Sequence, residues 1–146
     1  GLSYTSFSYS ELTLNKTQAK AGEQVEVSLK LKNTGSRAGT EVVQLYLQDP
    51  VASLTRPVQQ LAGFARVSLL PGEQKQVRFS LPVTMAAFLG PQQHGKMPWL
   101  LEPGEIRLQL GSSSADIRLQ GSFAVVGAPV DVSANRALQS TVTILE

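Results

Sequence analysis

Four aliphatic residues alternate with four polar ones through Val25-Glu26-Val27-Ser28-Leu29-Lys30-Leu31-Lys32. Successive side chains of an extended chain point to opposite faces, so a period of two predicts a half-buried strand here. The alternation returns in Glu41 to Gln48, with Val43, Leu45 and Leu47 on one face and Val42, Gln44 and Tyr46 on the other. It returns again in Leu61 to Leu69, in Val77, Phe79 and Leu81, and in Ile106, Leu108 and Leu110. Asp116 to Val126 predicts a further strand, forming a hairpin with the preceding one across Gly111-Ser112-Ser113-Ser114. Tyr4 to Leu14 predicts the first strand. Its apolar phase slips between Tyr9 and Leu12, which requires a bulge or a change of sheet.

Turn chemistry separates these runs. Asn33-Thr34-Gly35, Leu70-Pro71-Gly72-Glu73 and Glu102-Pro103-Gly104-Glu105 each carry residues suited to tight turns. Asp49-Pro50 and Arg56-Pro57 bracket a loop, because proline has no amide hydrogen to give a sheet ladder. Pro82 to Leu89 fits either a helical turn or an irregular strand, and Gly90 to Pro98 reads as a loop. Many short strands at regular spacing predict an all-β, two-sheet antiparallel sandwich of about seven strands. Residues 1–126 make up this sandwich. Residues 127–146, where the pattern weakens after Gly127-Ala128-Pro129, form a C-terminal extension, either a linker or an extra edge strand over Thr141 to Leu145.

A chain of 146 residues can bury a full hydrophobic core, and 42% hydrophobic against 16% charged residues is a globular composition. The formal charge of +2 comes without a basic run, so nucleic acid is not an expected partner. Cysteine is absent and histidine occurs once, which removes disulfides, thiolate catalysis and a zinc site; no metal or cofactor is expected. No apolar stretch approaches the roughly 18–20 residues of a membrane-spanning helix. The opening Gly1-Leu2-Ser3-Tyr4-Thr5 has no basic flank and apolar core, so any targeting signal is expected to be encoded upstream.

Candidate chemistry is sparse. Glycosidases usually set two carboxyl groups about a sugar, and Glu102 and Glu105 are the nearest acidic pair, but they flank a Pro-Gly turn where carboxylates are normally solvated. Asp49 and Asp116 fit turn residues that bond nearby amides. A nucleophilic serine among Ser112-Ser113-Ser114 would need the sole histidine, His94, which lies in a Gly- and Gln-containing loop. Trp99, beside Met97, Leu100 and Leu101, is either a plug at one end of the core or a platform for a sugar ring; its neighbours favour the plug. A carbohydrate-binding module would need Trp99, Tyr46 and Tyr9 on one exposed face. Asn15-Lys16-Thr17 fits the acceptor pattern for N-glycosylation, which matters only in a secreted eukaryotic protein.

Specific strings then go beyond generic sandwich logic. Gly1-Leu2-Ser3-Tyr4-Thr5 resembles the segment by which glycoside hydrolase family 3 enzymes pass into a C-terminal fibronectin type III-like domain. Further strings agree in that family's order: Asn33 to Gly39 with Val42-Val43-Gln44-Leu45-Tyr46, Arg56-Pro57-Val58-Gln59-Gln60-Leu61-Ala62-Gly63-Phe64, Leu70-Pro71-Gly72-Glu73, and Glu102-Pro103-Gly104 followed by Gly111-Ser112-Ser113-Ser114. The resemblance covers about residues 1–125 and implies an immunoglobulin/fibronectin type III-like sandwich. It also implies that the catalytic aspartate and the acid/base glutamate lie upstream, so no residue of this chain inherits either role.

The chain is therefore expected to be a piece of a larger retaining exo-β-glycosidase, of β-glucosidase or β-xylosidase type, exported to the periplasm or secreted. Its expected role is non-catalytic, packing against and stabilising the upstream catalytic domains of the same polypeptide. Tyr4, Leu54, Arg56 and Phe64 are the expected inter-domain contacts: Asp49 to Phe64 is long for a hairpin, Arg56 can fork onto a carboxylate, and Leu54 and Phe64 supply apolar area. Carbohydrate is the other partner class, and a spacer or surface-attachment domain the third reading.

Overall fold

The computed structural model describes residues 5–48, 59–90, 92, 94–137 and 140–145. In chain order these residues form strands β1 (Phe7–Leu14), β2 (Gln18–Ala19), β3 (Gln24–Asn33), β4 (Gly39–Gln48), β5 (Gln59–Leu69) and β6 (Gln74–Pro82). A single 3-10 turn, Val83–Ala86, precedes β7 (Phe88–Leu89), β8 (Trp99–Leu101), β9 (Gly104–Ser113), β10 (Asp116–Val125), β11 (Val130–Asp131) and β12 (Thr141–Leu145). The ambiguous stretch after Pro82 is thus both things in turn, a helical turn and then a two-residue strand.

Two sheets face each other. One has the order β1-β3-β6-β12 and the other β2-β10-β9-β4-β5, while β11-β8-β7 form a small third sheet. Val25, Val27, Leu29 and Leu31 of β3 and Val77, Phe79 and Leu81 of β6 line the inner face of the first sheet. Val43, Leu45 and Leu47 of β4 meet them with Ile106, Leu108 and Leu110 of β9 from the other side. Every one of these residues is buried, so the period of two in the sequence is the burial pattern of the sandwich. The β9–β10 hairpin is present as expected. One pairing departs from the antiparallel rule: Gln18–Ala19 runs parallel to the end of β10.

The phase slip in the first strand is a bulge. The β1–β3 register shifts between Ser10 and Thr13, and Glu11 takes a φ of 53°. That turn returns Leu12 and Leu14 toward the core, against which both pack.

Asn33, at the end of β3, is a fully buried polar residue and has all its bonds made. Its Oδ1 accepts from the Thr5 hydroxyl (2.6 Å) and the Gly35 amide (2.9 Å), and its Nδ2 donates to the carbonyls of Arg37 (2.8 Å) and Leu69 (3.0 Å). Its backbone N–H reaches the Glu73 carbonyl at 2.9 Å, and its carbonyl accepts from Gly72 at 2.9 Å. Gly72 has a φ of +78°, the value a Pro-Gly turn requires at its third position. Gly35 is held close to the first strand: a Cβ there would lie 2.0 Å from Thr5 Oγ1.

Past Gly127, β11 pairs with β8 and β12 pairs with β6 in the order Val142↔Phe79, Ile144↔Val77. Val132 is buried in the core, and the Ala137 amide donates to the Thr84 hydroxyl at 3.1 Å.

Candidate functional site

Of the four expected contact residues, Tyr4, Leu54 and Arg56 lie outside the described residues. Phe64 is on β5, the last strand of the five-stranded sheet, with 59% of its surface exposed. It is not part of the internal core.

A bulge explains its direction. Along β5, Ala65, Val67 and Leu69 point inward, and simple alternation would send Gly63 and Leu61 inward as well. The β4–β5 register instead steps from Leu45↔Gly63 to Tyr46↔Leu61, leaving Ala62 as the extra residue. Ala62 is buried and Leu61 turns outward, 48% exposed, onto the same face as Phe64. The Ala62 carbonyl accepts two bonds from Ser140, from its N–H at 3.1 Å and from its hydroxyl at 2.9 Å. The C-terminal segment therefore fixes the bulge. Leu61 escaped sequence reasoning, and its signal was the conflict of phase in Leu61-Ala62-Gly63-Phe64-Ala65, where no single alternation places every apolar residue inside.

Opposite this pair, the outward side chains of β4 are neutral and hydrogen-bonded. Tyr46 stands opposite Leu61, and Gln44 opposite Phe64. The Tyr46 hydroxyl donates to Gln44 Oε1, and Gln59 Nε2 donates to Gln109 Oε1 at 2.7 Å. Arg66, next outward after Phe64, is exposed and has no ion pair among the described residues.

A second polar group joins the two sheets at the opposite side of the sandwich. Tyr9 of β1 donates to Glu41 Oε2 of β4 at 3.1 Å. Arg118 of β10 sits over the Tyr9 ring, 5.5 Å from its centre, and donates to the Phe7 carbonyl at 3.2 Å. Its Nε and second terminal nitrogen grip Asp116 at 2.7 and 3.0 Å, and Ser112 Oγ donates to the same carboxylate. The guanidinium, and next the Ser112 hydroxyl, hold the Asp116 carboxyl down at about 2. Burial, with the negative charge of Glu41 adding to it, pushes the Tyr9 phenol up, so Tyr9 serves as a neutral donor.

Of the catalytic candidates, Asp49 lies outside the described residues. Ser112 is engaged by Asp116, and His94 is exposed in its loop with a φ of 51°. Glu102 and Glu105 are exposed, and Glu105 pairs with Arg107 at 3.4 Å. No group of His, Asp and Glu able to hold a metal occurs among the described residues. Nor is any helix among them long and apolar enough to cross a membrane.

The three aromatic residues that a sugar platform would need are not brought together. Tyr46 is on the outer face, Tyr9 lies in the seam between sheets, and Trp99 belongs to the third sheet. Trp99 packs against the core, and the Arg136 guanidinium lies 3.6 Å from its ring centre. One ring face is thus already occupied by the protein's own cation.

Comparison with known proteins agrees with this architecture. The Fibronectin type III-like domain family matches residues 41–114. Beta-glucosidase BoGH3A of Bacteroides ovatus is 39% identical over 126 residues, 86% of this chain and 16% of that protein. Thermostable beta-glucosidase B of Acetivibrio thermocellus is 42% identical over 125 residues, again 86% of this chain and 16% of the relative. Among solved structures, beta-glucosidase 3B from Thermotoga neapolitana in complex with α-D-glucose superposes with a TM-score of 0.73 at 38% identity, over 89% of this chain and 17% of that one. Beta-glucosidase from Listeria innocua in complex with glucose gives 0.75 at 36% identity, over 88% and 17%. The chain spans about a sixth of the length of the curated relatives it matches. With strand order, core and these likenesses in agreement, the chain belongs to the fibronectin type III-like domain family, in the form found within β-glucosidases.

Proposed function

We propose that the chain is a non-catalytic accessory domain of a glycoside hydrolase family 3 enzyme, packed against catalytic domains of the same polypeptide and stabilising them. The observation that carries this is proportion: 86% of the chain matches only 16% of a β-glucosidase. Glycoside hydrolysis needs a pair of carboxyl groups about the scissile bond. Glu102 is exposed before β9 and Glu105, exposed near its start, pairs with Arg107, so the chemistry is assigned to the remaining polypeptide. That polypeptide hydrolyses β-linked gluco- or xylo-configured ends; relatives include a Putative beta-xylosidase of Formosa agariphila as well as β-glucosidases. A Periplasmic beta-glucosidase of Salmonella typhimurium, 40% identical over 126 residues, supports an exported location. Tyr4, Leu54, Arg56 and Phe64 are its contacts with the neighbouring domains, with Arg56 forked onto a carboxylate.

Two measurements test this. The chain alone, assayed on an aryl β-glucoside, shows no turnover. Deleting it from the longer polypeptide lowers the melting temperature and the activity together. Turnover by the isolated chain, or a deletion that leaves both properties intact, sinks the reading.

A further inference from the structure

Resting on the reading of the chain as one domain of a longer glycosidase, we infer which face docks and what it docks on. It is the outer face of the five-stranded sheet at its β5 edge, centred on Leu61 and Phe64. Its occupant is the remainder of the same polypeptide, presenting an apolar surface with a carboxylate set to meet Arg66.

The backbone is arranged to expose this pair. Leu61 and Phe64 are three residues apart and would point to opposite faces of a regular strand; the Ala62 bulge turns both outward. Ser140 holds that bulge with two bonds from another part of the chain, so the outward pair is a fixed feature and not a frayed edge. Among the other exposed apolar side chains, Leu70 stands at a turn, Leu89, Met97 and Val130 lie in or beside the small third sheet, and Val126 follows β10; the other exposed pair on one strand, Val142 and Ile144 of β12, is less open at 39% each and belongs to the four-stranded sheet. Leu61 and Phe64 share one surface with the half-buried Tyr46.

The surrounding chemistry suits burial. Gln59 with Gln109 and Tyr46 with Gln44 bond to each other, so covering them leaves few polar groups without partners. Arg107 and Arg118 on the same sheet are each matched by a neighbouring carboxylate, Glu105 and Asp116. Arg66 has no such match among the described residues, which leaves one cation for a carboxylate on the partner. Relatives about six times as long as this chain supply a large body of protein to cover the face.

The test compares side-chain labelling by a photogenerated carbene in residues 1–146 alone and in the longer polypeptide. Leu61 and Phe64 are labelled several-fold less in the longer polypeptide, while Leu70 is labelled equally in both. Replacing both residues (Leu61→Ser with Phe64→Ser) leaves the urea midpoint of the isolated chain unchanged but lowers the melting temperature of the longer polypeptide by several degrees. Arg66→Glu lowers it too, and Arg66→Lys recovers part of the loss. Full labelling at Leu61 and Phe64 with protection on another face overturns the inference but leaves the accessory-domain reading standing. Protection nowhere on the domain overturns both. Protection that depends on protein concentration would make the occupant a second copy, and protection that needs a gluco-oligosaccharide would make it a sugar; either overturns the inference.

Discussion

Asn33 concentrates more of the fold in one side chain than any aliphatic residue of the core. Its amide holds the first strand through Thr5, the 33–39 turn through Gly35 and Arg37, and the end of β5 through Leu69. A buried amide is tolerated because each of its polar atoms is bonded, and removing it would leave two carbonyls, an N–H and the Thr5 hydroxyl short of partners. Asn33→Ala is expected to cost about 3 kcal/mol in urea unfolding. Asn33→Asp is expected to cost more at neutral pH, because a carboxylate oxygen would then face the carbonyls of Arg37 and Leu69 where the amide now donates. Should the aspartate variant prove the more stable of the two, donation from Nδ2 to the two carbonyls would not be what holds the site together.

Elements with an unbroken alternation were legible from the chain alone. β3, β4, β6 and β9 bury the residues that their period of two marks, because aliphatic side chains on one face of a strand have nowhere to go but the facing sheet. The slip between Tyr9 and Leu12 was legible too, as either a bulge or a change of sheet, and the structure takes the bulge. β2, β8 and β11 carried no signal, and β7 only an ambiguous one: strands of two or three residues exist because neighbours hold them, and a local pattern does not register that. The same limit hid the face at β5. Phe64 was singled out from its place after the loop, but its outward direction depends on a bulge secured by Ser140, 78 residues away along the chain. Ser140→Ala removes one of the two donors to the Ala62 carbonyl and keeps the other, so a loss of about 1 kcal/mol is expected. Amide hydrogen exchange should quicken around Ala62 before it does in β9, whose strand lies between two others.

At the scale of the whole molecule, the sandwich is closed along one side by polar contacts. Arg118 ties β10 to β1 through the Phe7 carbonyl, and Asp116 holds Arg118 in place. Asp116 has its carboxyl lowered from an ordinary 3.8 to about 2, so the folded state binds the proton less readily than the unfolded chain. Its stabilising contribution is therefore complete above the unfolded value and disappears as pH falls through about 2. Unfolding free energies of the parent chain and of Asp116→Asn, measured from neutral pH downward, are expected to differ by an amount that shrinks over that interval. A gap that stays constant in acid would mean that the carboxylate charge contributes nothing to closing the seam. The other end of the molecule has a different consequence. Its one indole lies beneath a guanidinium delivered by residue 136, so the ultraviolet emission of this protein reports how the tail is seated. A spectrum that shifts on heating records the lifting of that cation, and the two facing sheets can still be intact when it does.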